Sequence, residues 1–181
     1  MPKTTLIIVD IQNDYFDGGD WPLHQMERVS TNAAGLLANA REKDNLVVHI
    51  RHENDSPEAP FFRPGTVGAE IHASVAPKAG EVVLTKARAN SFHDTGLLGL
   101  LHEAGIEAVT ICGAMSQMCI DATARAAADY GFQVTVVEDA CGAKEMAFGS
   151  VEVNAEQVHA AFMAPLAMGY AKVATTADLL S

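Results

Sequence analysis

The chain is short of positive charge: its 181 residues carry 12 lysines and arginines against 23 aspartates and glutamates, a formal net charge of −11. No basic block relieves that balance, so nucleic acid and anionic membrane surfaces are excluded as natural partners and a small molecule is expected. Long apolar runs are missing too. None approaches the roughly 18–20 residues of a membrane span, and Leu6-Ile7-Ile8-Val9 near the N-terminus is far shorter than a secretory signal core. Cysteine is scarce: Cys112, Cys119 and Cys141 cannot all pair within one chain, and none shows C-x-x-C spacing. A disulfide framework and a dithiol redox centre are therefore excluded, and a reducing cytoplasmic setting is expected. Glycine-rich phosphate loops are absent after the first apolar run, where Gly18-Gly19 alone makes no nucleotide fingerprint.

What is present is a chain 49% hydrophobic and 19% charged, long enough to bury a core without staples and suited to a single domain over residues 1–181. Short β-branched runs at Thr4–Asp10, Asn45–Arg51, Val82–Lys86, Ala108–Gly113, Gln133–Asp139 and Lys172–Thr175 show no polar alternation. That pattern suits parallel strands covered on both faces. Helical stretches fall between them, at about Glu27–Lys43, Asp94–Ala104, Gln117–Tyr130 and Asn154–Met168. In the first, Val29, Ala33, Leu36, Leu37 and Ala40 form one apolar stripe. Pro165 is expected to kink or end the last. The alternation predicts a three-layer α/β/α, Rossmann-like fold with a mostly parallel sheet of about six strands. Two connections are long, His52–Gly80 with four prolines and Gly142–Val153, and loops of that length usually close pockets or contact neighbours.

In such sheets ligands bind beyond the carboxyl ends of the strands. Asp10, Lys86 and the segment Gly113-Ala114-Met115-Ser116-Gln117-Met118-Cys119 all lie there. Each alone has a plain structural explanation: a turn carboxylate, a solvated amine, a small buried thiol. Together they supply a base, a cation and a nucleophile. A helix start capped by Ser116 and a nearby ammonium would lower the Cys119 thiol from its usual value near 8.5. A carboxylate can take the thiol proton and later return it to a leaving amine. Cys112, in mid-strand, is expected to be buried and inert, and Cys141 structural.

Asp10-Ile11-Gln12-Asn13-Asp14-Tyr15, then Lys86 with Ser91-Phe92-His93-Asp94-Thr95-Gly96-Leu97, then Gly113-Ala114-Met115-Ser116-Gln117-Met118-Cys119-Ile120 resemble the three motif blocks of the isochorismatase-like cysteine hydrolases. The resemblance runs from Thr5 to about Leu180. It implies an Asp-Lys-Cys triad at Asp10, Lys86 and Cys119 and a non-proline cis peptide at Ala114–Met115. It also implies an oxyanion held by the amides of Met115 and Cys119. The implied chemistry is hydrolysis of a small-molecule amide or lactam C–N bond through a thioester. The alternatives are vinyl-ether hydrolysis of the isochorismatase type, or a non-catalytic binding module on the same fold.

Nicotinamidases of that family carry a metal site built on Asp-x-His after strand two. Here the stretch is His49-Ile50-Arg51-His52, which lacks the aspartate. In a strand, positions three apart point to opposite faces, so His49 is expected in the core and His52 at the surface, with no metal and no cofactor. Candidate substrate-binding residues are Gln12, Tyr15, Phe16, Trp21, Phe92 and His93. Arg51, Arg63 and Arg88 are candidates for a substrate carboxylate, and Phe61-Phe62 for packing against the pocket mouth or a neighbour. His159, spaced to face Phe162 and Met163, is expected to be structural. The resemblance also implies a homo-oligomer.

Overall fold

A computed structural model describes residues 2–181. Among the described residues eight strands form, of which six make one parallel sheet: β1 (Thr4–Val9), β2 (Leu46–His52), β3 (Val82–Lys86), β4 (Ala108–Ala114), β5 (Gln133–Gly142) and β8 (Lys172–Ala174). The order is β3-β2-β1-β4-β5-β8, every neighbouring pair parallel. The remaining two, β6 (Met146–Phe148) and β7 (Val151–Val153), pair antiparallel as a separate hairpin.

Alternating side chains of β1 feed two cores. Leu6 and Ile8 pack with Val29, Ala33, Leu36, Leu37 and Ala40 of α1 (Met26–Glu42) and with Leu179 of α5 (Thr176–Leu180). Ile7 and Val9 pack with Leu97 and Leu101 of α2 (Leu97–Glu103), Ala124 and Ala127 of α3 (Asp121–Asp129), and Met163 and Leu166 of α4 (Ala155–Gly169). Because both faces are covered, the strands have no polar side to display, which is why their sequences do not alternate. The three-layer expectation holds.

Several expectations give way. Helix α4 does not end at Pro165 but runs one further turn, to Gly169: the loss of one hydrogen bond near the C-terminus does not stop the coil. The segment after residue 142 contains the β6–β7 hairpin rather than plain loop. Helix α5 forms behind a capping box in which Thr175 and Asp178 bond each other's backbone N–H.

The sheet places the site. From β1 the chain winds outward to β2 and β3, then returns to lay β4 on the other side of β1. The crevice opens where the winding reverses, above the ends of β1 and β4. Gly113 makes the closure possible. It pairs with Val9 at a φ of 129°, and a Cβ there would overlap the Val9 carbonyl oxygen.

Candidate active site

Asp10 follows β1 directly. Its backbone is left-handed, φ 53°, a conformation that aspartate tolerates better than most residues. Its N–H bonds the Ile50 carbonyl of β2 at 3.0 Å, and its side chain is fully buried. Lys86 ends the edge strand β3, two strand spacings away, and stands in register with His52 of β2. Only a long side chain bridges that gap: Lys86 Nζ reaches across the end of β2 to lie 2.8 Å from Asp10 Oδ2. Cys119 comes from the other side, on a π-helical turn, Ser116–Ile120, between β4 and α3. Its Sγ is 3.1 Å from Lys86 Nζ. The Met115 carbonyl accepts from the N–H groups of Met118 and Ile120, on either side of Cys119. The Ala114–Met115 peptide is cis.

Lys86 Nζ has four neighbours. It donates to His52 Nδ1 at 3.1 Å, to the Arg88 carbonyl at 3.0 Å and to Cys119 Sγ, which accounts for the three hydrogens of an ammonium. Asp10 is held by charge rather than by an aligned hydrogen bond, and neither carboxylate oxygen has a hydrogen-bond donor. A buried carboxylate with open lone pairs is a base in waiting. Asp10, His52 and Cys119 present oxygen, nitrogen and sulfur within 4.8 Å of one another, a donor set that suits a thiophilic cation. Here the Lys86 ammonium, bonded to or paired with each of them, supplies the positive charge itself.

The electrostatics correct one expectation. The Cys119 thiol is pushed up to about 12, first by burial and then by Asp10, and Lys86 offsets this only in part. Burial also works against the Lys86 charge, but Asp10 and Cys119 outweigh it and hold the ammonium above its ordinary value. The resting site thus sets a thiol beside an ammonium, not a standing thiolate. Cys119 differs from Cys112, which burial alone lifts to about 12, in having a base beside it. Moving the proton from Sγ to Asp10 leaves the site's total charge unchanged, so burial opposes that transfer far less than it opposes loss of the proton to water.

Two further expectations fail. Ser116 does not cap the turn: its hydroxyl lies 3.1 Å from the Gly142 carbonyl and 2.8 Å from His159 Nδ1, because the turn is π-helical and its side chain points to the end of β5. His52 is not at the surface but against Lys86. Burial, then Lys86, depress its pKa and favour the neutral ring that a lysine donor requires. His49 is buried as expected, bonded to Glu81 at 3.0 Å.

The candidate binding residues scatter. Gln12 is fully buried, and its amide is committed to the His52 N–H and carbonyl and the Ala69 carbonyl, each at 2.8 Å. It clamps the His52–Gly80 segment to the sheet. Tyr15 is buried against Phe62, centroids 4.6 Å apart, and is near enough to the triad for Cys119 and Asp10 to add to the burial that raises its hydroxyl. Phe16 stacks on His72, Trp21 on Phe61. Phe92 packs with Phe132 and Tyr130 in the core that also holds Cys119. His93 is half exposed and, with Asn54, Pro64, Thr85, Lys86 and Arg88, lines a cleft of about 520 Å³. The three arginines already face acids, Arg51 with Glu53, Arg63 with Asp20 and Arg88 with Asp55. The site residue that sequence reasoning missed is His52.

Residues 4–178 match the family model of the isochorismatase domain. The chain is 45% identical over 177 residues, 98% of each chain, to the uncharacterized isochorismatase family protein YddQ of Bacillus subtilis. It is 36% identical over 155 residues to the maleamate amidohydrolase of Pseudomonas putida, covering 77% of this chain and 72% of that one. A crystal structure of the isochorismatase hydrolase type from Oleispira antarctica superposes with a TM-score of 0.95 at 46% identity, over 99% of this chain and 96% of that one. Sequence, fold and the motif blocks around Asp10, Lys86 and Cys119 agree, and the chain belongs to the isochorismatase family of hydrolases.

Proposed function

We propose that this hydrolase is a cysteine-dependent amidohydrolase that opens a small-molecule amide or lactam C–N bond through a thioester on Cys119. The observation that carries the proposal is the buried constellation itself: Lys86 Nζ at 2.8 Å from Asp10 and 3.1 Å from Cys119 Sγ. Asp10 takes the thiol proton as Sγ attacks the carbonyl carbon. The amides of Met115 and Cys119 hold the oxyanion, a kind of donor worth about 3–4 kcal/mol. Asp10 gives its proton to the departing ammonia or amine, then draws one from the water that attacks the thioester and returns it to Sγ as the acid leaves. Lys86 holds Asp10 in place and balances charge throughout. The relative named maleamate amidohydrolase supports an amide as the scissile group.

Three unpaired thiols support a cytoplasmic setting. No helix among the described residues is long and apolar enough to cross a membrane. Exposed Met146, Phe148 and Val151 on the β6–β7 hairpin support a homo-oligomer, since a free two-stranded hairpin is marginal in water.

The test is intact-mass spectrometry after mixing with a panel of small primary amides and lactams. An acyl adduct on Cys119 is expected, together with release of the acid. Turnover that survives Cys119→Ala, or uncatalysed substrates throughout with an alkylatable Cys119, would move the assignment to another bond type.

A further inference from the structure

A second polar chain reaches the nucleophile turn from the side opposite Lys86. Ser116 begins the turn that carries Cys119 and is fully buried. Its hydroxyl lies 3.1 Å from the Gly142 carbonyl at the end of β5 and 2.8 Å from His159 Nδ1 on α4. His159 Nε2 in turn lies 3.4 Å from Glu138 Oε2 on β5. Lys86 comes from β3, at one edge of the sheet, whereas Glu138 belongs to β5, beyond β4.

Only one direction of this chain makes both Ser116 contacts hydrogen bonds. A carbonyl can only accept, so the single Ser116 hydrogen serves Gly142. The shorter contact to His159 is then a hydrogen bond only if Nδ1 carries a hydrogen and donates to Ser116 Oγ. Glu138 lies near the other ring nitrogen without a hydrogen bond to it, so the ring is held through Nδ1. Gln117, the next residue of the turn, is fastened to the same region by a 3.0 Å bond from Nε2 to the Lys144 carbonyl. The side chains of Ser116 and Gln117 thus moor the start of the turn on the β5 side, while Cys119, three residues after Ser116, meets Lys86 on the other. With the mooring loosened, Sγ is free to drift from Asp10. A misplacement of about 1 Å in a reacting atom costs roughly a hundredfold in rate.

We propose that His159 is a positioning residue for the nucleophile: it donates from Nδ1 to Ser116 and so fixes the turn that presents Cys119 to Asp10 and Lys86. The part that concerns catalysis rests on Cys119 being the nucleophile, as set out above; the hydrogen-bond direction does not.

Two measurements test it. Nitrogen-15 histidine NMR of the intact protein is expected to show a hydrogen on His159 Nδ1, with a shift that moves on Ser116→Ala. An unprotonated Nδ1 overturns the proposal whatever the substrate proves to be. The second compares His159→Ala, His159→Asn and His159→Gln in Cys119 alkylation by iodoacetamide, read by peptide mass spectrometry, with thermal melts alongside. An asparagine amide sits near the place of Nδ1 and a glutamine amide near Nε2. Alkylation is expected to slow about 10–100-fold in the alanine and glutamine variants and to recover most of its rate with asparagine; where turnover is measured, kcat falls while KM holds. Equal rates in all three variants, or losses that merely track melting temperature, overturn it. Alkylation that follows this order in a chain that hydrolyses no amide would sink the amidohydrolase reading and leave the positioning role standing.

Discussion

At the scale of single residues, the proposed chemistry turns on Asp10, which can receive the Cys119 proton without adding net charge to a buried site. Asn at that position keeps the shape and tolerates the left-handed backbone, but it cannot act as the base. For Asp10→Asn, kcat is expected to fall by about 10²–10⁴-fold, with no acyl adduct on Cys119 by mass spectrometry. The same change leaves the Lys86 ammonium without its carboxylate at 2.8 Å, so a lower melting temperature should accompany it. A variant that hydrolyses amides at the wild-type rate would remove Asp10 from the mechanism. Lys86→Met tests the other half. Without its cation the site holds one uncompensated buried negative charge, on Asp10 before the proton moves and on sulfur or the oxyanion after it, so acylation is expected to fail even though Cys119 and Asp10 remain.

At the scale of elements, Glu81 ties three of them together just before β3. Arg41 of α1 grips it bidentately at 2.7 and 2.8 Å, and His49 of β2 bonds it at 3.0 Å. The Arg41 hydrogen bond, against the opposing effect of burial, carries its carboxyl from the ordinary 4.5 down to about 2. A pKa depressed in the folded state stabilises the fold above the unfolded value, and that contribution is lost as pH falls from about 4.5 toward 2. Glu81→Gln is expected to cost at most about 3 kcal/mol at neutral pH and to flatten the acid limb of a urea-midpoint-against-pH profile; an unchanged limb would refute the tie. The elements themselves were largely legible in the sequence, because unbroken runs such as Leu6-Ile7-Ile8-Val9 fit nothing better than a doubly covered strand. What escaped was set by partners far along the chain. His52 reads as a surface residue until β2 and β3 pair in register and put it beside Lys86. Ser116 reads as a cap until the end of β5 and α4 close around its hydroxyl. Helix α5 is different: Thr175 and Asp178 are a capping signal present in the sequence, but five residues give periodicity too little room.

At the scale of the whole molecule, the hairpin of β6 and β7 projects Phe148, 92% exposed, into solvent. If the hairpin makes the proposed subunit contact, a Phe148→Glu substitution is expected to lower the sedimentation mass toward that of one chain and to leave the Asp10–Lys86–Cys119 geometry intact; an unchanged mass would remove the hairpin from that role. The depth of the triad has a different consequence. Asp10, Lys86 and Cys119 are each 5% exposed or less, so bulk water has no standing place beside the sulfur while the first half of the reaction proceeds. On the proposed thioester route the acceptor enters as ammonia or an amine departs, and small neutral nucleophiles of similar size would compete with water for that place. Hydroxylamine should therefore divert part of the flux into a hydroxamate, and that product would make the protein an acyl transferase in kind, with hydrolysis the outcome when water is the guest.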